Sequence, residues 1–221
     1  MALWYPVLLN VEGRRCVVFG GGAVGERKAA GLLEAGAEVT VVSPDRTPRL
    51  ERWRQEGRIR AVLREAEDSD LDGAFLAFAA TDKPDVNRRL AAAARARGVP
   101  ILIADEGEAG DFINPAVVRR GDLVLAVSAS GAAPALASRI RRELEERYGP
   151  EYGKAAEILE AIRLALKRAG VGDAERRRLL AAAASPEAMA LWREAEDPAD
   201  GDRLLARLQE SLPDIEGPAG Q

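Results

Sequence analysis

The chain has 221 residues, 47% of them hydrophobic, with 32 basic against 36 acidic side chains, a net charge of −4 and no histidine. That balance argues against a nucleic-acid or polybasic membrane binder, and the length suffices for one large domain, or a medium one with an appendage, around a substantial core. Without imidazole there is no Ser-His or Cys-His nucleophile pair and no histidine-based zinc site, so proton transfer falls to a carboxylate, Lys, Tyr or the substrate itself.

In chain order, the first ten residues (Met-Ala-Leu-Trp-Tyr-Pro-Val-Leu-Leu-Asn) lack a basic flank and are too short to span a bilayer. No other apolar run approaches ~20 residues. A soluble, unprocessed, cytoplasmic protein is therefore expected. Residues 14 to 19 form the first core strand. It carries the one cysteine, Cys16, which rules out an intramolecular disulfide and fits a reducing compartment. The strand runs into Gly20-Gly21-Gly22-Ala23-Val24-Gly25 and then a helix that ends at Gly36. A strand, a G-x-G-x-x-G turn and a helix in that order form a dinucleotide-binding pattern. Gly20 permits the turn, Gly22 lets backbone approach a pyrophosphate, and Gly25 lets the helix lie close on the strand.

Glu38 to Val42 is the second strand, a helix spans Pro48 to Gln55, and Ile59 to Val62 is the third strand. A ribose-binding acid is common at the end of the second strand of such folds. Here the place holds Ser43-Pro44-Asp45, so Ser43 or Asp45 either contacts the ribose or caps the next helix. The absence of Lys or Arg before Arg46 favours NAD over NADP. Gly73 to Ala80 is the fourth strand, followed by Thr81-Asp82 and a helix from Pro84 to Arg97 that contains Asn87. Ala80 and Thr81 fall where the cofactor should pass, with Asp82 as a helix cap the competing reading. Pro100 to Ala104 is the fifth strand. Asp105 stands at its carboxyl end, where the crevice of a parallel sheet opens, within an acidic loop of Glu106, Glu108 and Asp111. It is the leading candidate base, and a turn-forming aspartate is the alternative.

Beyond Ala104 the strand–helix rhythm stops. Phe112-Ile113-Asn114-Pro115 leads to a strand at Leu123 to Val127. Ser128-Ala129-Ser130-Gly131 then precedes a helix through about Arg147, and this turn reads either as an anion site or as a serine cap. Arg139 lies near the start of that helix. From Glu151 the sequence is rich in Ala, Leu, Arg and Glu and reads as several amphipathic helices. The expected fold class is α/β: a Rossmann-type doubly wound parallel sheet (1–112), a small α+β segment (113–150) and a helical C-terminal domain (151–221).

Taken in order, Gly20 to Lys28, Val42-Ser43-Pro44, Ala79-Ala80-Thr81-Asp82 with Asn87, Asp105, Asp111-Phe112-Ile113-Asn114-Pro115, and Ala126 to Gly131 with Pro134 resemble the precorrin-2 dehydrogenase family, the dehydrogenase module of siroheme synthase. The resemblance covers about residues 5 to 150 and implies a stand-alone form, because no methyltransferase module follows. It implies NAD-dependent oxidation of precorrin-2 to sirohydrochlorin, with Asp105 accepting or orienting a proton. It also implies a homodimer in which 113–150 crosses to the partner. Some members of the family insert ferrous iron into sirohydrochlorin as well. The implied cofactor residues are Gly20, Gly21, Gly22, Ala23, Val24, Gly25, Ser43, Pro44, Asp45, Ala80 and Thr81. The polycarboxylate substrate would meet Asn114, Ser128, Ser130, Gly131 and Arg139. A bifunctional ferrochelatase and a non-catalytic NAD sensor are the alternatives, and no nucleic-acid or membrane partner is expected.

Overall fold

A computed structural model describes residues 4–104 and 109–211. The chain divides into two compact units, Met1–Asn114 with Ser130–Ala132, and Pro115–Ala129 with Ala133–Gln221.

The first unit is built on five strands that are apolar almost throughout, as strands covered on both faces must be. These are β1 (Arg15–Phe19), β2 (Glu38–Val42), β3 (Ile59–Val62), β4 (Leu76–Ala79) and β5 (Ile101–Ile103). They pair in the order β3-β2-β1-β4-β5, and every pairing is parallel. Alternation within each strand sends side chains to two separate cores. Cys16, Val18, Val39, Val41 and Phe78 pack against α1 (Ala23–Glu34) and α2 (Pro48–Gln55) through Ala29, Leu32, Leu50 and Trp53. Val17, Phe19, Ala77, Ala79 and Ile101 pack against α3 (Pro84–Ala96) through Leu90, Ala91 and Ala94. This is the doubly wound fold expected. Because the chain leaves β1 towards β2 and returns to β4 on its other side, the carboxyl ends of β1 and β4 form the switch point where such sheets hold ligands.

Local chemistry sets the element ends. Helix α1 stops in a Schellman turn: the Ala37 amide donates to the Leu32 carbonyl at 3.0 Å and the Gly36 amide to the Leu33 carbonyl at 3.1 Å, with Gly36 at φ 75°. A 3₁₀ turn, Asp68–Leu71, was not foreseen. Burial alone would raise the Asp70 carboxyl, yet the Arg64 guanidinium, bonded to both its oxygens at 2.8 Å, and the Glu67 amide hold it below the ordinary range.

Burial pushes the Cys16 thiol up to about 11 against the opposing charge of Arg14. At neutral pH Cys16 should therefore resist iodoacetamide in the folded protein and react promptly in urea, as followed by mass spectrometry. Rapid modification without denaturant would show that β1 opens locally.

The second unit begins with a hairpin, β6 (Ala116–Arg120) and β7 (Leu123–Val127), turned by Gly121 at φ 54°. Strand β6 was not anticipated. Helices follow: α4 (Pro134–Arg147), α5 (Glu151–Arg168), α6 (Asp173–Ala183), α7 (Pro186–Arg193) and α8 (Gly201–Ser211). Their core forms where Ile158, Ile162 and Leu166 of α5 meet Leu179, Trp192, Leu204 and Leu208. The indole of Trp192 stays satisfied there by donating to the Ala183 carbonyl at 2.7 Å. Among the described residues no helix is long and apolar enough to cross a membrane.

Candidate cofactor site at the sheet switch point

Each glycine of the β1–α1 turn solves a different steric problem. Gly20 has φ 107°, and a Cβ there would lie 2.2 Å from the Ala80 carbonyl oxygen, so β1 and β4 can close together only over a bare Cα. A Cβ on Gly25 would stand 2.0 Å from the Gly20 carbonyl oxygen, which fixes how closely α1 lies on the turn. Gly22 differs, since nothing lies within 4 Å of its Cβ position. It is the N-cap of α1 and has no side-chain cap, so the first amides of the helix face open space. Backbone donors at the positive end of a helix dipole, with room in front of them, form an anion cradle.

That space belongs to a cleft of about 670 Å³, within the range of ~300–1,000 Å³ usual for small-molecule and cofactor sites. One wall is Val42 to Thr47. Thr47 ties this wall down: its amide donates to the Gly21 carbonyl at 3.0 Å, its hydroxyl donates to Glu26 at 2.5 Å, and the same oxygen accepts from the Leu50 amide as the cap of α2. The cap of α2 is therefore Thr47, not Ser43 or Asp45. Asp45 is left exposed on the cleft wall, whereas the Arg46 guanidinium is paired with Glu51.

The opposite wall is Ala80 to Lys83. The Ala80 amide donates to the Phe19 carbonyl at 2.8 Å, which continues the sheet beyond the strand ends. Buried Asn87 fixes the next residue. Its Oδ1 accepts from the Thr81 amide at 3.2 Å and the Thr81 hydroxyl at 2.6 Å, and its Nδ2 donates to the Thr81 carbonyl at 3.1 Å. The cap position of α3 is Lys83, not Asp82. Across the mouth, the Lys83 ammonium pairs with Glu65 at 2.8 Å.

Of the residues singled out from sequence, Gly20 to Val24, Ser43, Pro44, Asp45, Ala80 and Thr81 all line this cleft, and Gly25 lies behind the turn. Arg46, Thr47, Glu65, Ala66, Lys83 and Ala104 line it too, although the sequence reading had not assigned them to the cofactor. Glu65 and Ala66 were within reach of sequence reasoning, because they follow a strand on the carboxyl side of the same parallel sheet.

Asp105 lies outside the described residues, together with Glu106 and Glu108. Asp111 is committed to structure. Its Oδ2 accepts from the Ile101 amide at 3.1 Å, and Arg95 lies 3.4 Å from its other oxygen. The expected substrate residues are distributed over both units. Asn114 ends one stretch of the first unit, and Ser130 and Gly131, at φ 53° and 82°, also belong to it. Ser128 follows β7, and Arg139 lies on α4 paired with Glu143 at 3.1 Å. The cap of α4 is Ala133 rather than a serine.

Two protein-family models match the chain. Residues 7–116 match the family described as "Putative NAD(P)-binding", and residues 120–147 match "Sirohaem biosynthesis protein central". The chain is 41% identical over 163 residues to the siroheme synthase of Methylobacillus flagellatus, covering 74% of this chain and 35% of that protein. The siroheme synthase of Chromobacterium violaceum is 39% identical over 164 residues, with the same coverage. The structure of SirC, a precorrin-2 dehydrogenase, superposes with a TM-score of 0.74 at 26% identity, covering 94% of this chain and 100% of that one.

The chain is thus similar to sirohaem biosynthesis proteins through an NAD(P)-binding segment and the central segment that follows it, and in fold to a precorrin-2 dehydrogenase. It spans about a third of the length of the curated siroheme synthases it matches. In form the cleft is a cradle open above Gly22, closed on either side by the ends of β2 and β4.

Proposed function

We propose that the protein oxidises precorrin-2 to sirohydrochlorin with NAD as the electron acceptor. The observation that carries this reading is the open glycine cradle at the switch point, in a chain whose fold follows SirC over nearly its whole length. The reaction removes a hydride and a proton from the macrocycle as a double bond forms. A bound nicotinamide supplies the hydride acceptor. The chain's own share is to hold and align. The amides that open α1 receive the pyrophosphate, Thr47 fixes the ribose wall, and Asn87 fixes the Thr81 wall. Asp105 takes the proton.

NAD is favoured over NADP on charge. A 2′-phosphate on the ribose wall would meet exposed Asp45, while the nearby cations Arg46 and Lys83 are already paired with Glu51 and Glu65. The active species in this reading is a homodimer in the cytoplasm, with residues 113–150 exchanged between subunits.

Purified protein given precorrin-2 and NAD under anaerobic conditions should produce sirohydrochlorin and NADH in equal amounts, both followed by absorbance, with NADP a much poorer acceptor. Folded protein that binds NAD without forming NADH would leave a nucleotide-sensing role and end the enzymatic reading. Ferrous iron added to the sirohydrochlorin formed, compared with the uncatalysed rate, decides whether the same protein also acts as a chelatase.

A further inference from the structure

Helix α1 turns three consecutive charges, Glu26, Arg27 and Lys28, in three directions, because successive residues are 100° apart around a helix. Glu26 faces α2, where Thr47 and Arg49 hold its carboxylate. Lys28 is on the other flank of the buried stripe of Gly25, Ala29 and Leu32, towards β4. Its ammonium lies 5.8 Å from the ring centroid of Phe78, and Phe112 meets that ring edge-on at 5.3 Å. The side chain is half-buried. Burial first, and the adjacent Arg27 charge second, hold its ammonium below the ordinary lysine range.

Other lysines of the chain are provided for. Lys83 pairs with Glu65, Lys154 donates to the Arg193 carbonyl, and Lys167 is exposed to solvent. Among the described residues Lys28 has no carboxylate partner, and neither does Arg27. A desolvated cation supported only by an aromatic face, beside a second unpaired cation, is an unfavourable arrangement for the folded protein alone and a favourable one for receiving an anion. The flank that carries it is also the one where Phe112, from the segment after β5, packs onto the sheet.

We propose that Lys28 is a substrate anchor, its ammonium, held over the buried Phe78 ring and beside the partly buried Phe112, receiving a carboxylate of the tetrapyrrole. The proposal rests on the function argued above and adds a residue that determines specificity for a polycarboxylate. Methionine in its place keeps an unbranched apolar stem over Phe78 and removes only the charge.

The test compares wild type with Lys28→Met and Lys28→Arg. Affinity for sirohydrochlorin is measured by its absorbance change at several salt concentrations, beside NAD affinity and thermal unfolding. Lys28→Met should weaken sirohydrochlorin binding about tenfold or more and raise KM for precorrin-2 equally, the size of one lost hydrogen bond to a charged group. It should also flatten the salt dependence, since one ionic contact is gone. NAD affinity should stay as in wild type, the melting temperature should hold or rise because the half-buried charge is gone, and Lys28→Arg should restore most of the binding. Unchanged sirohydrochlorin affinity in Lys28→Met overturns the anchor, as does a fall in melting temperature without a change in affinity, which would assign the ammonium to internal packing. Wild type that neither binds sirohydrochlorin nor oxidises precorrin-2 would instead sink the functional reading on which the anchor rests.

Discussion

Gly22→Ala should reduce NAD affinity about a hundredfold, the equivalent of one or two hydrogen bonds to a charged group, while leaving stability within about 1 kcal/mol of wild type. The two effects separate because the added methyl group has no protein atom within 4 Å, and φ −78° with ψ −173° suits alanine as well as glycine. The methyl would occupy only the space where the pyrophosphate must approach the α1 amides. Gly25→Ala makes the contrast. Its methyl would stand 2.0 Å from the Gly20 carbonyl oxygen, a backbone atom that cannot turn aside, so α1 must lift from the turn at a cost of roughly 2–4 kcal/mol. Calorimetric NAD titration and thermal unfolding of both variants distinguish the cases. If Gly22→Ala binds NAD like wild type, the cradle is not the cofactor site. If it melts as early as Gly25→Ala, the space above Gly22 is not open.

The elements and residues that were legible in the sequence share one property: a physical cause that acts locally. Strands β1, β2 and β4 are apolar on both faces because helices cover both faces of a parallel sheet, and the run Cys16 to Phe19 shows it directly. The glycine turn was legible because its spacing reflects contacts within a few residues. Strand β6 was not. Its five residues end in two arginines, and its pairing depends on β7 across a glycine turn. The Arg120 guanidinium then turns to the carbonyls of Tyr148 and Glu145 near the end of α4, a use of charge that only the tertiary structure defines. The caps show the same limit. Ser43, Asp45 and Asp82 are good capping residues by type, but proline at the first helical position of α2 and α3 moves the cap to the residue before it, Thr47 in one and Lys83 in the other. Thr-Pro at 47–48 carried that signal. Asn87 is a harder case. An asparagine inside a helix reads as ordinary surface until Thr81, six residues earlier, is found returning to it.

Asp105→Asn should lower kcat for precorrin-2 oxidation by about 10²–10⁴, the usual contribution of a positioned base, with NAD affinity unchanged. Asparagine keeps the shape and the hydrogen-bonding oxygen of aspartate but cannot take a proton, so the substitution separates orientation from proton transfer. Few side chains could share the task. The chain has no histidine. Asp111, the described carboxylate of the same acidic loop, accepts from the Ile101 amide and lies against Arg95, so its lone pairs are engaged in holding the chain along β5. Asp111→Asn is therefore the informative companion, expected to lower stability while sparing kcat in the protein that remains folded. Stopped-flow formation of NADH under single-turnover conditions reads the chemical step itself, without a contribution from product release. Asp105→Asn with wild-type single-turnover rates would remove Asp105 from proton transfer. A slow step restored in Asp105→Glu would support a carboxylate acting as base at that position, since glutamate recovers the proton affinity at the cost of one extra methylene.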